Sequence, residues 1–330
     1  MSADLPVFAD IEAAAARIAP YAIRTPLIEN AVLNDKLDAR VFLKLETLQR
    51  TGSFKFRGAL NKISQIAPAD RAKGVVAFSS GNHAQGVAAA AALFSIPALI
   101  VMPKDVPAAK LEGTRSYGAE VVFYDRLRDD REAIARALCE ERGATLVRPF
   151  DDFDIVAGQG TIGLEIAREA AARGVKLDAV LAPCSGGGVV SGIALAIAAA
   201  IPGTRIASVE PENYDGMRRS IAAGRRVAAP GGTPSIADAL MAPTPGEIPF
   251  ALAHRHLTDA LAVTDAELTA AVAYAARTLK LIVEPSGTAG LAALLSGRFL
   301  SSGKIVVAVL TGANCDFFAV AQACAPTRPI

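Results

Sequence analysis

The chain has 330 residues, 52% hydrophobic and 20% charged, with a net charge of +1. That length supports one large domain or two smaller ones around a sizeable core, and the composition excludes extensive disorder. The even charge balance excludes the basic field of a nucleic-acid binder and any acidic tail.

With no Trp and only 5% aromatics, the core must be built from Ala, Val, Leu and Ile. Cys139, Cys184, Cys315 and Cys324 are widely spaced and form no C-x-x-C pair. They suit neither a disulfide framework nor a zinc site, so a reducing cytosol is the expected compartment. Asp4, Asp10 and Glu12 near the start disfavour a cleaved signal. The apolar stretch Val87–Met102 is interrupted by Ser95 and Pro97, so it reads as a helix and a buried strand rather than a membrane span. A cytoplasmic protein with neither a membrane nor a nucleic-acid partner is expected.

In chain order, apolar β-rich runs predict strands at Val41–Leu45, Gly74–Phe78, Ala98–Val101, Glu120–Phe123, Ala179–Ala182, Arg205–Val209 and Lys304–Leu310. Helical segments alternate with them: Gly58–Ile66, His83–Phe94, Arg131–Arg142, Gly160–Arg173 and Val190–Ile201. Continuous apolar strands alternating with helices predict an α/β fold with parallel sheet covered on both faces. Ala228–Gly246, rich in Pro and Gly, reads as a long surface connection.

Three loops follow strands directly and concentrate Gly, Ser, Thr and Asn: FSSGNHAQG (Phe78–Gly86), APCSGGGVVSG (Ala182–Gly192) and LTGANCD (Leu310–Asp316). Open α/β sheets bind ligands at the carboxyl ends of their strands, so the three predict one shared crevice. In the second loop, Ser185 and Gly186-Gly187-Gly188 precede a helix. Consecutive glycines let backbone N–H groups converge on an anion at the helix N-terminus, which favours phosphate over a bare strand–helix turn. The G-x-x-x-x-G-K-[ST] pattern is absent, and a mid-chain position argues against a dinucleotide fingerprint.

In TGSFKFRGA (Thr51–Ala59), Lys55 is flanked by Phe54 and Phe56. Most lysines are solvated, but desolvation beside aromatics lowers an amine's pKa and makes it a better Schiff-base nucleophile. Ser79, Ser80, Asn82 and His83 open an alanine-rich helix and suit a substrate carboxylate. The alternative is simple helix capping by Ser80 or Asn82.

Together with AGQGTIGLEI (Ala157–Ile166), VEP (Val209–Pro211) and KLIVEPSG (Lys280–Gly287), these motifs stand in the order found in fold-type II enzymes that use pyridoxal 5′-phosphate. The chain most resembles the serine/threonine dehydratase and serine racemase family, from about Thr25 to about Asp316. The resemblance implies a tryptophan synthase β-like fold with two open, twisted, mostly parallel sheets flanked by helices. A large cofactor-binding domain would comprise residues 1–73 and 146–330, with a small mobile domain, 74–145, inserted between them. A homodimer is implied too.

It also assigns roles. Lys55 carries the cofactor as a Schiff base and moves the α-proton, with Phe54 packed nearby and Asn82 on the cofactor's phenolic oxygen. Ser185, Gly186, Gly187, Gly188 and Val189 hold its phosphate. Thr311 faces the pyridine nitrogen, a neutral partner that favours β-elimination over transamination, and Glu284 supports the ring. Ser79, Ser80, Asn82 and His83 receive the substrate carboxylate, with Arg131 a further candidate.

The implied reaction is dehydration of L-threonine or L-serine to a 2-keto acid and ammonia. Racemisation, or dehydration of another 3-hydroxy amino acid such as hydroxyaspartate, are the alternatives, and a non-catalytic phosphate-ligand-binding protein is the reading from another class. Ser80 stands where racemases keep their second base. Ala313 and Ala239 replace glycines common in the family or its racemase branch. That branch's cation site expects a carboxylate six residues beyond Glu210. Gly216 stands there, with Asp215 beside it, so no metal site is expected.

Overall fold

The short apolar runs form ten strands among the residues described by the computed structural model, 4–106 and 108–325. They are β1 (Leu27–Glu29), β2 (Arg40–Leu45), β3 (Val75–Phe78), β4 (Ala98–Pro103), β5 (Glu120–Tyr124), β6 (Thr145–Leu146), β7 (Ala179–Pro183), β8 (Arg205–Pro211), β9 (Asp259–Val263) and β10 (Ile305–Leu310). One sheet has six strands in the order β1-β2-β10-β7-β8-β9, the other four in the order β5-β4-β3-β6. Every pairing is parallel except β1 with β2. The four-stranded sheet is drawn wholly from Val75–Leu146.

Strand alternation explains the continuous hydrophobicity. Val41, Leu43 and Leu45 of β2 join Val306, Ala308 and Leu310 of β10 in one core, whereas Phe42, Val307 and Val309 enter the core on the opposite face. Both faces of the central strands are covered by helices, as a parallel sheet requires. Lys44 interrupts that pattern at a fully buried position. Its Nζ reaches Glu165 at 2.5 Å, and Arg57 pairs with Glu165 at 2.6 Å and Glu46 at 2.7 Å. Buried charges are tolerated only when paired in this way. This network ties the helix that begins at Lys55 to β2 and to helix Phe153–Ala172.

Helix Phe153–Ala172 begins seven residues before the expected Gly160, with Asp152 capping it through Asp154 N and Ile155 N. Its glycines permit close crossings. A Cβ on Gly158 would lie 2.6 Å from Gly58 Cα, and one on Gly192 would lie 2.7 Å from Gly160 N. Tertiary contact thus overrides the poor helix propensity of glycine. Sequence patterning misses the short strands β1, β6 and β9, and the helices Phe8–Ile18, Glu247–His256 and Asp265–Tyr274.

One expectation is corrected. Ala228–Gly246 is not merely a surface connection: it buries Ala237 and Leu240 and folds over the crevice. Ala239 N donates to Ser286 Oγ and Ala242 N to Ser185 Oγ, each at 3.1 Å. Those backbone bonds give a Pro/Gly-rich segment a fixed path that composition alone does not reveal.

Candidate active site

The carboxyl ends of β3, β7 and β10 converge on a cavity of about 180 Å³. One wall is the glycine loop after β7. Gly187 holds φ +94°, a left-handed conformation that favours glycine, and caps helix Gly188–Ala200. A Cβ on Gly186 would lie 2.4 Å from the Phe150 ring, and one on Gly188 would lie 3.1 Å from Phe150 Cα. The loop is therefore a bare-backbone cradle, and the first N–H groups of the helix lack intrahelical partners. Ser185 and Val189 line the same cavity.

Lys55 is the first residue of its helix, held there by Phe54 N donating to Thr311 O at 3.1 Å. Its Nζ donates to Pro149 O at 2.5 Å and lies 5.1 Å from the Phe54 ring centroid. Burial pulls the amine down to about 8, within reach of its nucleophilic form near neutral pH. A phosphate-bearing aldehyde fits this arrangement, with a loop whose packing against Phe150, Met217 and Pro249 admits only glycine and a desolvated amine in one cavity.

Ser79, Ser80, Asn82 and His83 also line the cavity. The capping alternative fails: Gly81 is the N-cap of helix Asn82–Leu93, and no side chain caps it. Ser79 Oγ accepts from Gly81 N at 3.2 Å. Asn82 Nδ2 donates to Glu284 Oε1 at 2.6 Å, while Asn314 Nδ2 donates to Asn82 Oδ1 at 2.8 Å. Burial, with Asp238 nearby, raises the Glu284 carboxyl to about 7, against the opposing effect of the Asn82 bond. His83 lies 2.9 Å from Val147 O through Nε2, so that nitrogen donates. Burial and the Lys55 charge push its pKa down to about 3, leaving a neutral ring whose buried Nδ1 is an acceptor without a partner among the described residues. A neutral acceptor does not suit a carboxylate, so His83 is a poorer match to that role than the two serines.

Thr311 is buried at the end of β10 and lines the cavity. Beside it, a Cβ on Gly312 would fall 2.3 Å from Glu284 Oε1. Ala313, by contrast, is only half-buried and donates its N–H to Gly52 O. The departure at 313 therefore sits where a methyl group is accommodated.

At the mouth, Arg131 is exposed, with its guanidinium 5.6 Å from the Phe78 ring. Among the described residues it has no ion-pair partner. Lys110 pairs with Asp238 nearby. Sequence reasoning misses Lys110, Asp238, Phe150 and Ser286, all of which line the cavity. Lys110, Asp238 and Phe150 stand in no Gly/Ser-rich loop that follows a strand, and only the fold brings them together, whereas Ser286 lies within the KLIVEPSG motif. Asn314 lies within the TGANCD motif, and its amide is the available signal.

Outside the cavity, Glu210 is fully buried and accepts from Met217 N at 2.9 Å and Arg218 N at 2.8 Å. Asp215 pairs with Arg218 and Arg219. Among the described residues no group of three His, Cys, Asp or Glu side chains is arranged to hold a metal. None of their helices is long and apolar enough to cross a membrane.

Comparison with known proteins places this chain in a family. The chain is 45% identical over 308 residues to the L-threo-3-hydroxyaspartate ammonia-lyase of Pseudomonas sp, covering 93% of this chain and 95% of the relative. It resembles the crystal structure of a T.th. threonine deaminase at TM-score 0.88 and 43% identity, covering 94% and 99% of the two chains. Maize serine racemase superimposes at TM-score 0.91 with 36% identity, covering 97% of each. The fold is thus that of fold-type II enzymes, and the cofactor is pyridoxal 5′-phosphate. Residues 18–312 match the family described as pyridoxal-phosphate dependent enzyme, and the chain belongs to it.

Proposed function

We propose that this enzyme dehydrates 3-hydroxy amino acids to 2-keto acids and ammonia, and that 3-hydroxyaspartate is a preferred substrate. The observation that carries the acidic preference is Arg131, a guanidinium without an ion-pair partner among the described residues at the cavity mouth. The similarity to a hydroxyaspartate ammonia-lyase supports it. Threonine and serine, expected from the sequence, are the second choice, supported by the likeness to a threonine deaminase.

The bound cofactor supplies an electron sink that acidifies the substrate's α-carbon. The protein's part is positional and acid–base. Lys55, low in pKa and beside the cavity, takes the α-proton. The backbone of Gly186–Val189 and Ser185 anchor the phosphate. Asn82 and Glu284, bonded to each other, and Phe54 and Thr311 fix the ring. Ser79 and Ser80, at a helix N-terminus without a side-chain cap, take the substrate's α-carboxylate. Water loss leaves an enamine that hydrolyses, after release, to the keto acid and ammonia. Residues 74–145 would act as a small domain that closes over the substrate and brings the serine loop onto it.

The test is ammonia and keto-acid release from L-serine, L-threonine and L-threo-3-hydroxyaspartate. Arg131→Ala should raise KM for hydroxyaspartate about 10–100-fold, the value of a charge-assisted bond, and change KM for serine much less. Equal effects on both substrates would refute the role of Arg131. Racemisation is a second activity supported by Ser80, which lines the cavity. Chiral chromatography for D-isomer in the wild type and in Ser80→Ala tests it.

A further inference from the structure

The ion pair between Lys110 and Asp238 spans the cavity mouth. Lys110 lies on helix Ala108–Arg115, after β4 of the four-stranded sheet. Asp238 opens the 3-10 turn Asp238–Leu240 in the segment that folds over the crevice from the six-stranded side. The turn is pinned by Ala239 N donating to Ser286 Oγ. The lysine chain runs past the serine loop, because a Cβ on Gly81 would lie 3.7 Å from Lys110 Nζ. The Lys110 side chain is only 18% exposed, whereas that of Asp238 is 52% exposed, so the ammonium faces inward and the carboxylate stands at the rim.

We propose that this pair sets selectivity between substrates with and without a second carboxylate. Asp238 neutralises Lys110, and a dicarboxylate in the cavity competes with Asp238 for that ammonium. The inference rests on the cavity being the amino-acid site proposed above. With Asp238 present, Arg131 is the mouth cation that lacks a carboxylate partner among the described residues. Without Asp238, a second cation faces the cavity. Without Lys110, a bare carboxylate remains at the rim and repels a dicarboxylate. The two halves of one ion pair thus act in opposite directions. A merely structural contact would move both variants the same way.

The experiment measures malonate and propionate binding to the holoenzyme by calorimetry, in wild type, Asp238→Asn, Lys110→Met and the double variant. Relative to propionate, malonate should bind about 5-fold more tightly to Asp238→Asn and about 5-fold more weakly to Lys110→Met, the scale of a partly exposed ion pair. The double variant should return close to wild type. The ratio of kcat/KM for 3-hydroxyaspartate over serine should follow the same order, through KM. Malonate affinity that falls in both single variants, or moves in neither, overturns the proposal. If the wild type releases no ammonia from any 3-hydroxy amino acid, the reaction assigned above fails, and the malonate measurements still decide the role of the pair.

Discussion

At the end of the cavity proposed to hold the cofactor's phosphate, Gly186 and Gly188 pack against Phe150 and Gly187 against Met217 and Pro249, leaving no room for a side chain, whereas at the mouth Lys110, Arg131 and Asp238 come from three separate segments and stay partly exposed. The first region works through backbone geometry and the second through side-chain charge. Phosphate is common to every reaction of this cofactor and calls for a rigid cradle. The substrate differs from one reaction to another, and a rim of charged side chains can change one residue at a time.

Three variants sharpen that contrast. The largest effect belongs to the cradle. Gly186→Val would drive a side chain into the Phe150 ring and should weaken cofactor affinity by at least about 100-fold, from about 3 kcal/mol of overpacking. Cofactor titration of the apoenzyme would measure it, and near-normal affinity would break the claim that the cradle is backbone-only. The loss of hydroxyaspartate affinity in Arg131→Ala comes next, and it should leave cofactor affinity intact.

A third prediction concerns pH. The Lys55 amine is lowered to about 8, so its nucleophilic form grows as pH rises toward that value. The rate of cofactor uptake by apoenzyme should rise about tenfold per pH unit below 8 and level off above it. A stopped-flow profile that is flat from pH 6 to 9 would argue against a desolvated amine.

The smallest effect is Glu284→Gln. A carboxyl raised from 4.5 to about 7 binds more protons in the folded state than in the unfolded one, so stability falls as pH rises between those values. Glu210, pushed up to about 8 by burial, adds to the same fall. Glu284→Gln should therefore reduce, not abolish, the drop in Tm between pH 5 and 8, by about 2–4 °C. An unchanged drop would mean that Glu284 titrates normally.

The contrast between the two ends also explains what can be read in advance. Lys55 between two phenylalanines, Gly186–Gly188 and the Ser79–His83 loop are contiguous, and each carries a local backbone or desolvation requirement that a motif records. Their order along the chain, matched to a family, is enough for the fold class and cofactor. Lys110, Asp238 and Phe150 have no such signature, because their roles arise when distant segments meet, as in the separation of 128 residues between Lys110 and Asp238. Edge strands β1 and β9 escape detection because short strands at a sheet margin lack the buried alternation of β2 and β10. Helix Phe153–Ala172 starts earlier than its pattern suggests because its glycines serve helix crossings rather than helix propensity. His83 matches a carboxylate by position, but its burial leaves a neutral ring with an acceptor nitrogen.

The central claim is that Lys55 holds the cofactor. Borohydride reduction of the holoenzyme, followed by peptide mass mapping and absorbance, tests it most directly. The wild type should show a band near about 410–420 nm and, after reduction, a covalent pyridoxyl mark on Lys55. Lys55→Ala should lose the band after gel filtration. A wild type that gains no band with added cofactor, or a mark on another lysine, would contradict the account.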